Sequence, residues 1–209
     1  ILMNPWIAFI VILFVLFAKK KQENFFGTSL KNIYGEPLKS CRKYKGDQRG
    51  SWDRGGYCSE QGVDTGLHQI CFRLNKRTKN FSGDTGQSNW SPSRIPKGKN
   101  NNNHCMCLGA YSLYKAKQKK GLLKKTMNEL NCSAIPETAF NSEYVKKWNE
   151  WNGYELPEQV VEGISSLYSQ CYSKGNRKQK KYLRGKFCNL ASKKEGKSLD
   201  QALKELALL

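Results

Sequence analysis

Both histidines and five of the eight cysteines lie between Asn32 and Tyr114, so side-chain chemistry beyond simple charge is concentrated there. Cys41, Cys58, Cys71, Cys105 and Cys107 supply thiols, and His68 and His104 supply imidazoles. Three chemistries compete for them. The preferred one is disulfide formation or burial as structural thiols. Cys105 and Cys107 are two residues apart, so on a strand they share one face and each can meet a partner across a sheet, but not each other. The second is zinc binding, with His68-x-x-Cys71 and His104-Cys105-x-Cys107 as half-sites. The alternative ligand set is then His68, Cys71, His104, Cys105 and Cys107, although no C-x-x-C pair and no standard structural zinc spacing is present. The third makes Cys58, Cys71 or Cys107 a nucleophile with His68 or His104 as its base, an arrangement that requires proximity in space. It ranks last. No paired carboxylates, phosphate-cradling Gly loop or Ser/His/Asp set is evident. The expectation is therefore a non-enzyme with no cofactor, no resident metal and no small-molecule substrate.

The elements around these residues are short. Turn signals crowd together at Gly35-Glu36-Pro37, Lys45-Gly46-Asp47, Arg54-Gly55-Gly56, Ser82-Gly83-Asp84 and Lys97-Gly98. Runs of β character, His68–Leu74 and Cys105–Tyr111, sit between them. This predicts a small, loop-rich α+β or mainly β module over residues 32–117, with α+β preferred, whose long loops need tying down. Four segments in order, NIYGEPLKSC, GGYCSEQGVDTGLHQIC, FSGDTGQSNWSP and HCMCLGAY, resemble the domain of unknown function 2237 family of mostly bacterial proteins. That family's pattern is approximately N-x-x-G-x-P-L-x-x-C, D-G-C-C-x-T-G-x-x-D-x-G-x-H-x-V-C, G-N-D-L-S-T-P and W-C-L-C-A. Cys41, Cys58, Asp64, Gly66, His68, Cys71, Cys105 and Cys107 fall on it, whereas Tyr57 replaces the first of two adjacent cysteines and His104 stands where Trp is usual. The family has no settled activity, so the resemblance implies a compact domain and no reaction.

Residues 118–209 read as a basic helical region. A lysine-rich helix from Tyr111 to Leu130 is interrupted by Gly121, and Pro136 breaks the chain after it. Asn141 or Ser142 then caps a helix carrying Tyr144, Trp148 and Trp151 at i, i+4 and i+7. Pro157 suits the first turn of the next helix, with Val160, Val161, Ile164, Leu167, Tyr168 and Cys171 as its apolar stripe. Lys174-Gly175-Asn176 turns into a further helix with Tyr182, Leu183, Phe187 and Leu190 inward. Ser198-x-x-Gln201 resembles a capping box for a last helix over Leu199–Ala207. These stripes predict core rather than a stacking platform for bases. A Cys171–Cys188 bridge fails on length, because a hairpin turning near Gly175 leaves them roughly 13 Å apart along the helices, and a disulfide needs Cα atoms within about 7 Å. Each is better read as a core thiol or the partner of a cysteine elsewhere.

At the other end, Ile1–Ala18 is almost wholly apolar and Lys19, Lys20 and Lys21 follow at once. Eighteen helical residues rise about 27 Å, close to the hydrocarbon thickness. The sequence predicts a single transmembrane helix over 1–18, with Trp6 interfacial and Ile7, Phe9, Ile10, Ile12, Leu13, Phe14, Leu16 and Phe17 in contact with lipid. A linker over 19–31 follows, its lysines suited to a membrane surface or polyanion, and the basic bulk falls on the cytoplasmic side.

The formal net charge of the 209-residue chain is +19, which favours anionic partners without choosing among nucleic acid, lipid headgroups and acidic proteins. The anchor, the lysine content and segments such as LYSQCYSKGNRKQKKYLRGKFC look like virion proteins of large icosahedral DNA viruses with an internal membrane. That likeness implies a minor capsid protein of the virion, single-pass in the internal membrane with its bulk on the capsid side. Its partners would be the lipid bilayer and the major and other minor capsid proteins. Disulfides on the cytoplasmic side would be exceptional, but viruses of that class resemble one another in carrying thiol oxidases. The alternatives are a membrane-tethered nucleic-acid-binding protein using Lys115–Lys125 and Lys174–Lys186, and a redox or metal-dependent enzyme built on the cysteine module.

Overall fold

The computed structural model describes residues 30–42, 56–58, 68–75, 78, 81–86, 102–152 and 159–192. Residues 31–209 form one compact unit, distinct from residues 1–30. The centre of the larger unit is an antiparallel pair, β1 (Ile70–Leu74) and β2 (Asn102–Met106), in which Cys71 faces Cys105 and Phe72 faces His104. Leu130 bridges to Phe72 on the other side of β1, with Arg73 N–H donating to Glu129 O and Asn131 N–H donating to Cys71 O. A strand this short survives because it is buried: Ile70, Cys71 and Phe72 are fully inaccessible.

The β run expected at Cys105–Tyr111 ends early. Cys107 is extended and its sulfur accepts from Ala110 N–H, which makes it the N-cap of a helix beginning at Leu108. A one-turn helix, α1 (Phe81–Asp84), precedes β2, and the capped helix α2 (Leu108–Lys119) follows it. Helix α2 stops where Gly121 takes φ +75, with Gly121 N–H donating to Gln118 O and Leu122 N–H to Lys117 O. This is a Schellman end, which only a residue free of Cβ strain closes cheaply. Phe72, Phe81, Tyr111 and Tyr114 gather above the sheet, with Phe72 and Phe81 centroids 4.8 Å apart and Phe81 and Tyr114 centroids 5.0 Å apart.

Among the described residues three longer helices follow: α3 (Ser142–Asn152), α4 (Gln159–Lys174) and α5 (Arg177–Ser192). Asn141 caps α3, its Oδ1 accepting from Glu143 N–H at 3.0 Å. Helix α4 buries Val160, Ile164, Leu167 and Cys171 at helical spacing and lies along α2. The approach is close: a Cβ on Gly163 would stand 2.8 Å from Ser112 Cβ. Helix α5 buries Leu183 and Phe187. The segment containing Asn32 is laid across these helices. Tyr34 hydroxyl donates to Cys171 O at 2.7 Å, and burial, with Glu36 adding, pushes the Tyr34 pKa up to about 12. Gly35, at φ +77, leaves room for the Tyr182 ring.

The architecture is α+β, but the transmembrane element expected in it needs correction. Among the described residues no helix is long and apolar enough to cross a membrane. The longest, α4 and α5, have 16 residues each. That is about 24 Å of helix, and α5 carries six lysines and arginines between Arg177 and Lys186. Residues 1–18, with Trp6, Ile7, Phe9, Ile10, Ile12, Leu13, Phe14, Leu16 and Phe17, lie outside the described residues, as do Lys19, Lys20, Lys21 and the helix expected at Leu199–Ala207.

Candidate functional site

The cysteines lead the chemistry-bearing residues that the sequence singles out, and the fold joins six of the eight in disulfides. Cys41 is bonded to Cys71 and Cys58 to Cys105, with Cα separations of 5.7 and 5.3 Å. Because Cys71 and Cys105 oppose each other in the ladder, their side chains leave the same face of the sheet, and the two disulfides lie side by side. The Sγ atoms of Cys41, Cys58 and Cys71 are all within 4.8 Å of one another. Cys41 is brought in by backbone bonds, Lys39 N–H to Ser133 O at 2.9 Å and Cys41 N–H to Gly56 O at 2.7 Å. A third disulfide, Cys132–Cys171, ties the segment after β1's outer neighbour to α4. Cys188, half-buried, and Cys107, buried, take part in none of these disulfides.

The histidines do not join this group. In β2, His104 and Cys105 point to opposite faces by strand alternation. His68 is half-buried just before β1. The expected ligand set of His68, Cys71, His104, Cys105 and Cys107 is thus divided between two faces of the sheet and a helix cap. The candidate nucleophiles Cys58 and Cys71 are oxidised, and Cys107, 6% exposed, sits under the start of α2. There Tyr144 hydroxyl accepts from Leu108 N–H at 3.3 Å. Burial first, and then Cys107, holds the Tyr144 pKa well above the usual phenol value. Asp64 and Gly66 lie outside the described residues. Tyr57, where the family pattern has a cysteine, is 41% exposed.

Two features escape motif reading. Asn32 is fully buried and organises the turn at Gly35. Its Oδ1 accepts from Tyr34 N–H at 2.9 Å and Glu36 N–H at 3.2 Å, and its Nδ2 donates to Ser133 O at 3.2 Å. The motif asparagine is therefore a backbone organiser. The second is a buried polar network beneath α2 and α4. Glu129, 1% exposed, pairs with Lys115 at 2.8 Å and accepts from Gln170 Nε2 at 2.9 Å. Tyr111 and Ser166 hydroxyls also lie 3.0 Å from Gln170 Nε2. Burial, with Glu129 adding, raises the Tyr111 pKa well above its ordinary value. Both features are scaffold, since neither presents a reactive group to solvent.

The surface is different in character. Between α2 and Glu129 the chain forms a loop in which Leu122 is 68% and Met127 73% exposed. Lys120, Lys124 and Lys125 are exposed beside them. The loop backbone is held from below: Gln118 Nε2 donates to Lys124 O at 2.7 Å and Thr126 Oγ1 at 2.9 Å, and Lys115 Nζ donates to Thr126 O at 3.2 Å. Lys119 pairs with Glu162 of α4.

A family model described as an uncharacterized protein conserved in bacteria (DUF2237) matches residues 31–142, more than half of the chain. The match runs past the segment carrying the four motifs and takes in Cys132. Comparison with curated proteins and with solved structures returns no match.

Proposed function

We infer that this chain, which belongs to the domain of unknown function 2237 family, is a structural binding protein that docks on acidic protein surfaces, as a minor component of a large icosahedral DNA virus shell. The observation that carries the reading is the pinned loop of Leu122 and Met127. A loop whose backbone is held by Gln118 and Lys115 presents two large apolar side chains to a partner at little ordering cost. The lysines around them select an acidic rim. The exposed cations of α5, Arg177, Lys178, Lys181 and Arg184, extend the same preference. The virion setting rests on the compositional likeness of the lysine-rich segments. The reading is non-enzymatic and does not use a membrane span.

Lysine-directed cross-linking of purified virions, followed by mass spectrometry, tests it. Links from Lys120, Lys124 and Lys125 to shell proteins are expected, and they should disappear in particles carrying Leu122→Asp and Met127→Asp. Absence of the chain from particles would defeat the reading. So would tight DNA binding by the purified chain that weakens steeply with salt, which would instead favour phosphate contacts.

A further inference from the structure

The two adjacent disulfides gather four sulfurs at one buried point. Cys41, Cys58, Cys71 and Cys105 are each fully inaccessible. Three of their sulfurs lie within 4.8 Å of one another, and the fourth, of Cys105, is bonded to that of Cys58. Zinc held by thiolates at about 2.3 Å sets its sulfurs about 3.8 Å apart in a tetrahedron. The sulfurs of Cys41, Cys58 and Cys71 are thus close enough to share one ion once the Cys41–Cys71 bond opens and that pair moves apart to this spacing. The fourth is freed beside them when the Cys58–Cys105 bond opens. The four come from four separate segments, which is why no C-x-x-C pair announces them.

A second observation points the same way. Arg42 Nε is buried and has no hydrogen-bond partner among the described residues. The side chain lies over Gly56, where a Cβ would meet Arg42 Cγ, Cδ and Nε at 2.5 Å. Arg42 thus adjoins Cys41 in sequence and packs two residues from Cys58. Beside two neutral disulfides a buried, unanswered guanidinium nitrogen is a cost. A zinc ion with four thiolates carries a net charge of −2, which a cation carried next to Cys41 in sequence and packed on Gly56 helps to balance.

We propose that Cys41, Cys58, Cys71 and Cys105 form a four-thiolate zinc site in the reduced chain. One cluster then alternates between two disulfides and one bound metal ion. Each disulfide takes two electrons and two protons from one dithiol reductant, which leaves as its own cyclic disulfide, and four thiols result. Zinc binding displaces the four thiol protons. The ion then holds the Cys41 and Cys58 loops against the sheet, as the disulfides do in the oxidised chain. Cys107, Cys188 and His104 stay outside the site. It is independent of the docking surface.

The test is to reduce the full chain with a dithiol, remove the reductant without oxygen and titrate with cobalt(II), then zinc(II). One cobalt per chain is expected, with thiolate-to-metal charge-transfer bands and a tetrahedral ligand-field spectrum, displaced by one zinc. Cys105→Ser should weaken zinc at least about tenfold and alter the cobalt spectrum. Cys107→Ser, Cys188→Ser and His104→Ala should leave both unchanged. Cys132→Ser, which removes a disulfide but no ligand, should also retain the metal. A reduced wild-type chain that takes up no stoichiometric metal, folded or not, overturns the proposal. So does full-strength binding by Cys105→Ser, or loss of binding in Cys107→Ser or His104→Ala.

Discussion

Cys132 and Cys171 are bonded with Cα atoms 5.6 Å apart although 39 residues separate them. The bond fastens α4, which lies outside the family-matched segment, to a residue inside it. The helical region is therefore part of the module's own fold. Tyr34 reaches the same point by donating to Cys171 O. Closing a loop of this length is worth about 2–4 kcal/mol. Replacing both cysteines by serine should lower the urea midpoint by a corresponding amount while the far-ultraviolet dichroism keeps its helical shape. An unchanged midpoint would mean that packing alone fixes α4.

Helices α2 and α4 touch through Gly163 and Ser112. A methyl at position 163 has no room, since it would stand 2.8 Å from Ser112 Cβ and 2.9 Å from Ser112 Cα. Gly163→Ala should cost about 1–3 kcal/mol despite the better helix propensity of alanine. Ser112→Gly in the same chain should recover part of that loss by removing the opposing side chain. Thermal unfolding of the single and double variants reads both effects, and full stability of Gly163→Ala alone would show that the helices can separate freely.

Much of the helical region is legible in the sequence because its signals are local. Val160, Ile164, Leu167 and Cys171 recur at helical spacing and are all buried, and Asn141 is an N-cap by residue type and position. The β reading of Cys105–Tyr111 fails at Cys107, where an alternating apolar run also suits the buried start of a helix. The disulfide pairing is not legible, because it depends on the register that sets Cys71 against Cys105 and on loops that deliver Cys41 and Cys58. The sulfur cluster is hidden for the same reason. Arg42 gives no sequence signal at all, since its position over Gly56 is a tertiary fact.

Lys115 and Glu129 form a nearly inaccessible pair, with side chains 11% and 1% exposed. Glu129 Oε2 has no hydrogen-bond partner among the described residues, so the carboxylate depends on what Oε1 receives. Lys115→Met should destabilise by about 3–5 kcal/mol, because it strands a buried charge. Lys115→Met with Glu129→Gln removes both charges and should regain most of it. A double-mutant cycle in urea supplies the coupling, and additive effects would show that the pair does not interact.

Leu122 and Met127 contribute little to the core, given their exposure of 68% and 73%. Leu122→Asp and Met127→Asp should each change stability by less than about 0.5 kcal/mol. Loss of partner binding by these variants is then a surface effect. A large drop in melting temperature would instead make these residues structural and remove the main support for the docking reading.

Glu137 joins α5 to the turn before α3: Lys186 Nζ lies 2.8 Å from its Oε2, and Tyr182 hydroxyl donates to the same oxygen. Burial pushes its carboxyl upward, but the bonds from Lys186 and Tyr182 outweigh burial and hold it below its ordinary value of 4.5. A folded value below the unfolded one means that the contribution is present above that ordinary value and is lost as pH falls through the folded one. With Lys186 37% exposed, solvent screening keeps the pair below about 1 kcal/mol. Glu137→Gln should therefore lower the urea midpoint slightly at neutral pH, and the gap from wild type should close in acid. A gap that persists in acid would assign the effect to packing of the side chain rather than to its charge.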